Sequence, residues 1–269
     1  MKTRVISAII AIAIVIPFFI LGGIPFAIAV GIVAGMAYIE TLKLKESHKP
    51  YPTYIKVLGF LCLELIVFSH LSSSYLFNGV SYLSLCLPAL VLTIPAIFDT
   101  KGKYTTKEAF HLLGTITLLG VVFNVLILIC NGNKWLLLYL ILIAILTDTF
   151  AMLIGCLIGK HKLIPNVSPK KSIEGSIAGS LVGTIVPSIY YYNIVTSNIS
   201  IPLLLIMSLA LSILGQIGDL FFSKIKRENG IKDFSNIMPG HGGILDRLDS
   251  LTFVMFGYML IISILNIIR

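Results

Sequence analysis

The residues best suited to chemistry gather in two polar stretches of an otherwise apolar chain. The longer stretch, Ser223 to Asp249, reads SKIKRENGIKDFSNIMPGHGGILDRLD and holds Lys224, Lys226, Arg227, Lys232, Arg247, Glu228, Asp233, Asp246 and Asp249. Around its start, Gln216, Asp219, Ser223, Lys226 and Arg227 recur at i, i+3, i+7, i+10 and i+11, which on a helix makes one polar stripe. Basic side chains reaching for a membrane surface would explain Lys226 and Arg227 alone. They do not explain an acid and an amide deeper along the stripe, and an ionisable group inside an apolar span is costly enough to be a functional candidate. Asp246 and Asp249 lie three residues apart with Arg247 between them, where a further apolar run begins. Acids there could simply cap a helix. His241-Gly242-Gly243 precedes them, however, and paired glycines let backbone N–H groups come close to a phosphate. Asp219 and Asp246 supply hard oxygens of the kind magnesium takes while it bridges substrate phosphates. His241 has no second histidine nearby for a transition-metal site, which leaves a phosphate contact or a loop hydrogen bond.

The second polar stretch, Gly159 to Gly175, reads GKHKLIPNVSPKKSIEG. Its Ser168-Pro169-Lys170-Lys171-Ser172 core presents hydroxyls and ammonium groups from a proline-fixed turn, a cluster suited to a polyphosphate. Two more acids lie within apolar runs. Glu64 is isolated in CLELIVF, where a structural hydrogen bond and a functional role remain equally open. Asp148 has Met152, Gly155 and Gly159 at i+4, i+7 and i+11, so its face carries a GxxxG pair able to pack closely against another helix. That spacing places Asp148 toward the interior of a bundle, where holding helices together is the competing role.

The elements that must position these groups are membrane helices. With a mean hydropathy of +0.99 and only 12% charged residues, the chain lies outside the range of soluble globular proteins. Apolar runs predict about nine transmembrane helices, near 5–21, 24–39, 57–70, 82–98, 109–130, 135–158, 176–195, 201–222 and 251–268. Gly22, Gly23 and Pro25 predict a tight first turn, His70 to Tyr82 an uncharged connection, and Asn131-Gly132-Asn133 a short polar turn. The fold class is therefore an all-α polytopic membrane protein. It reads as one integral membrane domain over 1–269, with N-terminal helices over 1–130 and the catalytic helices and loops over 131–269. The first apolar run is too long, and too poor in small residues at a cleavage position, to be a signal peptide. With the N-terminus cytoplasmic, 18 of the 20 Lys and Arg residues fall on the cytoplasmic side, all but Lys134 and Arg269. Both polar stretches then share that face. The net charge of +8 accords with orientation and anionic lipid heads, and no soluble domain exists to bind nucleic acid. Cys62, Cys86, Cys130 and Cys156 show no CxxC spacing and read as small packing residues.

The pattern S-x-I-K-R-x4-K-D-x-S-x3-P-x-H-G-G-I-x-D-R-x-D from Ser223 to Asp249 resembles the motif of the phosphatidate cytidylyltransferases (CDP-diacylglycerol synthases). The Asp148–Gly175 segment is similar to that family's second region, and length and span number agree along the whole chain. The departures are mild: Met238 before Pro239 in place of Leu or Ile, Met152 in place of Tyr, Ser172 in place of Thr, and Cys156 where a basic residue is common. The resemblance implies transfer of CMP from CTP to phosphatidate, giving CDP-diacylglycerol and pyrophosphate. It implies catalytic roles for Asp219, Asp246, Asp249, Lys226, Arg227 and His241, with Asp219 and Asp246 on magnesium. Substrate binding falls to Asp148, Ser168, Lys170, Lys171, Ser223, Lys232, Asp233, Gly242, Gly243 and Arg247. A monovalent cation such as potassium, a homodimer and the bacterial inner (plasma) membrane complete what it implies.

Two other readings compete. A related CTP-dependent enzyme could act on another lipid phosphate or on a polyprenol, since nothing in the sequence measures the acceptor. An ion-coupled transporter would also carry intramembrane acids, but it would show paired broken helices in two halves. Here the polar residues gather at one face instead.

Overall fold

The computed structural model describes residues 13–46, 50–69, 82–100, 102–195, 199–237 and 242–268. The start of the first expected span, nearly all of the His70–Tyr82 connection, and His241 lie outside the described residues. The chain divides into two units, Met1–Gly132 with Phe234–Ile244, and Asn133–Asp233 with Leu245–Arg269.

In the first unit, helix α1 (13–21) turns into α2 (Gly23–Glu46) through Gly22 and Gly23, whose φ values of 61° and 55° favour residues without a Cβ. Helices α3 (Thr53–Val67) and α4 (Tyr82–Phe98) follow, and then α5 (Thr106–Ile158). A capping box starts α5: Glu108 accepts a hydrogen bond from the Thr105 backbone N–H at 2.8 Å and another from the Thr105 hydroxyl. The core of this unit is aliphatic and aromatic, built on Tyr38, Ile55, Leu63, Ile66, Leu112, Ile116 and Phe123. Buried Asn124 on α5 donates to the carbonyls of Ile66 and Val67 at 3.1 and 3.0 Å, which ties α5 to the end of α3.

At Asn133 the backbone of α5 leaves helical geometry. The Asn133 side chain accepts from the N–H groups of Trp135 and Leu136 at 3.0 and 3.3 Å and so caps the second part of the helix, where the sequence predicts a polar turn. The second unit continues with strands β1 (Lys162–Ile164) and β2 (Ser168–Ser172), which pair antiparallel, and with α6 (Ile173–Tyr190). A π-helical turn (Tyr191–Val195), α7 (Ile201–Glu228) and α8 (Leu245–Ile268) complete it. The β-hairpin departs from the all-α expectation, which takes this stretch as a loop. A hairpin satisfies backbone groups that an open loop would leave to water.

Helix α7 has two opposed faces. Ile206, Leu209, Ile213, Ile217 and Phe221 are exposed, while Ser208, Ser212 and Gln216 are buried. The buried groups bond to neighbouring helices: Ser208 Oγ to Tyr139 at 2.7 Å and Ser188 at 2.8 Å, Ser212 to Thr147 at 2.7 Å, and Gln216 to Ser180 at 2.7 Å. Each such bond between membrane helices contributes about 0.6 kcal/mol, up to ~2. Apolar outside and polar inside inverts the arrangement of a soluble helix, as lipid surroundings require. Among the described residues, four helices are long and apolar enough to cross a bilayer: Gly23–Lys45, Thr106–Ile158, Ile201–Glu228 and Leu245–Leu265.

Candidate active site

The polar seam of α7 leads to a cluster of acids and lysines within the second unit. Asp219 lies one turn beyond Gln216, and its Oδ2 is 2.5 Å from Lys171 Nζ on β2. The Ser223 hydroxyl donates to Asp219 Oδ1 at 3.3 Å. Further along α7, Lys226 Nζ donates to Asp246 Oδ1 on α8 at 2.6 Å, with the two side chains only 11% and 6% exposed. Asp249 lies within electrostatic reach of Asp219, Asp148 and Lys226. Asp148 faces Asp219, Lys171 and Ser250. Gly218 brings these helices close, because a Cβ there would lie 2.7 Å from the Asp249 carbonyl oxygen.

Asp148 sits beside a close helix contact, which takes in Gly155 of its predicted face but not Met152. Gly175 and Gly179 on α6 press against the backbone of Ala151 and Thr147 on α5, and added Cβ atoms would lie 2.4 and 2.5 Å from those carbonyl oxygens. Thr147, Ala151 and Gly155 therefore form the contact on α5. Met152 is 63% exposed, so it is not on that face. Gly155 and Gly159 do pack closely, against Ser172.

The hairpin explains why neighbouring lysines differ. Successive side chains on a strand point to opposite faces, so Lys171 turns toward Asp219 while Lys170 is exposed. Ser168 is half-buried at the start of β2. Ser172 caps α6, its Oγ accepting from the Gly175 N–H at 3.2 Å. The hairpin is fastened by Glu174, which accepts from the His161 backbone N–H at 3.2 Å and meets His161 Nδ1 at 2.6 Å. The Glu174 backbone N–H and the His161 ring hold its carboxyl down to about 2.

Arg227 is exposed and donates to the backbone carbonyls of Val167 and Ile231 at 3.4 and 3.1 Å, which ties the end of α7 to the hairpin turn. Lys232 and Asp233 are exposed after α7, and Arg247 is exposed in the first turn of α8. Gly242 and Gly243 belong to the first unit, where Gly242 takes a φ of 85° and Gly243 approaches Glu40. Glu40 is a polar residue that the sequence pattern does not single out.

Among the described residues, four carboxylates, Asp148, Asp219, Asp246 and Asp249, gather near Lys171 and Lys226. A gathering of carboxylates in a partly buried place favours a bound cation. Among the described residues no three His, Cys, Asp or Glu side chains converge as a ligand set. Magnesium does not need three, since it is usually held by one or two carboxylates with water and substrate phosphates.

Lipid-facing helices around a cluster of carboxylates and lysines define an integral membrane protein with a polar candidate site. The chain belongs to the cytidylyltransferase family, whose model matches residues 2–265. It is similar to the phosphatidate cytidylyltransferase of Staphylococcus haemolyticus (strain JCSC1435), with 34% identity over 258 residues that cover 95% of this chain and 96% of that protein. Its identity to the phosphatidate cytidylyltransferase of Bacillus subtilis (strain 168) is 32% over 270 residues, 97% of each chain. The enzyme of that name from Staphylococcus aureus (strain COL) is 34% identical over 256 residues. The family resemblance drawn from the Ser223–Asp249 motif therefore holds along nearly the whole chain.

Proposed function

We propose that this protein transfers CMP from CTP to phosphatidate, forming CDP-diacylglycerol and releasing pyrophosphate. An oxygen of the lipid phosphate attacks the α-phosphorus of CTP. A new P–O bond forms there as the bond to the oxygen shared with the β-phosphorus breaks, and the electron pair leaves with pyrophosphate. The acceptor phosphate is already ionised at neutral pH, so the difficulty is bringing two anions together and not removing a proton.

The observation that carries this reading is the pairing of Asp219 with Lys171 and of Asp246 with Lys226, with Asp148 and Asp249 beside them. Asp219 and Asp246 would hold magnesium, which when bound neutralises phosphate charge and stabilises the leaving group. Lys171 and Lys226 would turn to phosphate oxygens, and exposed Lys170 and Lys232 would meet CTP or the lipid head, with Arg247 beside them on the first turn of α8. His241 and a monovalent cation such as potassium are assigned to the site by resemblance. Nine spans, a cytoplasmic N-terminus and site, a homodimer, and the bacterial inner membrane complete the proposal, supported by the segregation of 18 of 20 basic residues to one side.

Purified protein in detergent, given phosphatidate, magnesium and labelled CTP, should form a labelled lipid and pyrophosphate in equal amounts. It should form neither when the divalent cation is chelated. Absence of product from phosphatidate, with turnover of another lipid phosphate or a polyprenol, would replace the acceptor.

A further inference from the structure

Glu40 lies in the last third of α2, just before its charged end, with its residue fully buried at 0% exposure. A buried carboxylate must be compensated. Glu40 Oε1 accepts from the Ser235 hydroxyl at 2.5 Å and from the Ile244 backbone N–H at 2.8 Å. Gly243, just before the second donor, also meets the carboxylate closely. A Cβ at Gly243 would lie 2.5 Å from Oε1, 2.7 Å from Oε2 and 2.8 Å from Cδ. The two adjacent glycines therefore have different causes. Gly242 takes a φ of 85°, which disfavours any side chain. Gly243 lies outside that region, and what it lacks is room beside Glu40.

We infer that Glu40 is a positioning residue for the reaction, tying the two ends of the segment from Ser235 to Ile244. This segment carries the Gly242-Gly243 pair, and Asp246 follows it by two residues. Fixing the Ile244 N–H fixes the backbone that follows the Gly242-Gly243 pair, which the family resemblance assigns to substrate binding. A carboxylate suits the task because hydrogen bonds to an ionised acceptor are about twice as strong as neutral ones. For its activity readout this inference rests on the cytidylyltransferase reading; the clamp itself does not.

The test uses the full-length protein in lipid nanodiscs, with Glu40→Ala, Glu40→Gln, Gly243→Ala and the Glu40→Ala/Gly243→Ala double variant. Hydrogen exchange over residues 234–245 and initial rates of CMP transfer are measured for each. Glu40→Ala should raise exchange at the Ile244 amide at least tenfold and lower kcat at least tenfold. Glu40→Gln keeps an acceptor oxygen and should lose less on both measures. Gly243→Ala should push the Glu40 carboxylate off its donors and so raise Ile244 exchange in the wild-type background, but change it less than twofold once Glu40 is alanine, because the atoms it would strike are gone. Unchanged exchange in Glu40→Ala overturns the clamp, and so does an equal cost of Gly243→Ala in both backgrounds. Should Glu40→Ala not fold, Glu40→Gln and Gly243→Ala decide by exchange, the clamp requiring faster exchange in Gly243→Ala than in Glu40→Gln. A wild type without transferase activity would count against the reaction and leave exchange to judge the clamp.

Discussion

Lys226 on α7 and Asp246 on α8 meet at 2.6 Å, although 20 residues separate them in sequence. Both ends of the polar stretch are thereby joined within the second unit, and Asp249, one turn beyond Asp246, lies within reach of the same ammonium group. The pair has a structural consequence and a chemical one, and these can be separated.

Lys226→Met should leave Asp246 shielded and without its ammonium partner. Breaking a buried pair from one side costs about 3–5 kcal/mol, so the thermal unfolding midpoint should fall. Asp246→Asn should lower kcat by at least about a hundredfold, the scale for removing one charge-stabilising group. The double variant should recover most of the stability and remain inactive. Fluorimetry beside the transfer assay checks both, and an active double variant would remove Asp246 from the chemistry.

The hairpin register predicts unequal lysines. Lys171→Ala should lower kcat/KM by at least about thirtyfold, because it removes the partner of Asp219. Lys170→Ala, on the exposed face of β2, should cost less than about fivefold, with a loss that shrinks as salt rises. Equal losses would mean that the strand presents both side chains to the site.

How much of this was legible in the sequence follows from the range of each interaction. The stripe of Gln216, Asp219, Ser223, Lys226 and Arg227 was readable because helical period is local; the structure turns the first four inward and leaves Arg227 exposed at the end of the helix. The Asn131–Asn133 break was readable for the same reason. The split between Lys170 and Lys171 was not, because it depends on strand pairing within a stretch that reads as a charged loop. Met152 misled because i+4 spacing defines a broad face, and the close contact lies on Thr147 and Ala151 beside it. Glu40 was invisible because its partners lie 195 and 204 residues away.

The clasp between His161 and Glu174 gives a pH dependence with a definite sign. The Glu174 carboxyl is lowered from 4.5 to about 2. A group with a depressed folded-state value favours the folded form above its unfolded value and loses that contribution as pH falls toward the folded value. Protection of the His161 amide, corrected for intrinsic exchange, should therefore stay constant from pH 7 to 5 and decline between about pH 4 and 2. Glu174→Gln should lower it throughout. A decline already between pH 7 and 5 would show that another group controls the clasp.

The contact between α5 and α6 predicts which glycines are indispensable. At Gly175 an added Cβ would lie 2.4 Å from the Ala151 carbonyl oxygen and 2.8 Å from Gly155 Cα, both backbone atoms that no rotamer change can move. Overfilling such a contact costs about 1–3 kcal/mol. The separation forced on α5 and α6 should also disturb Asp148, which lies beside the contact and faces Asp219. Gly175→Ala and Gly179→Ala should thus lower both the unfolding midpoint and kcat. Gly114 supplies the control, because it is helical with no atom within 4 Å of an added Cβ. Gly114→Ala should be neutral or stabilise by up to about 1 kcal/mol, since glycine is the poorer helix former. Equal midpoints for Gly114→Ala and Gly175→Ala would refute the close backbone approach of α5 and α6.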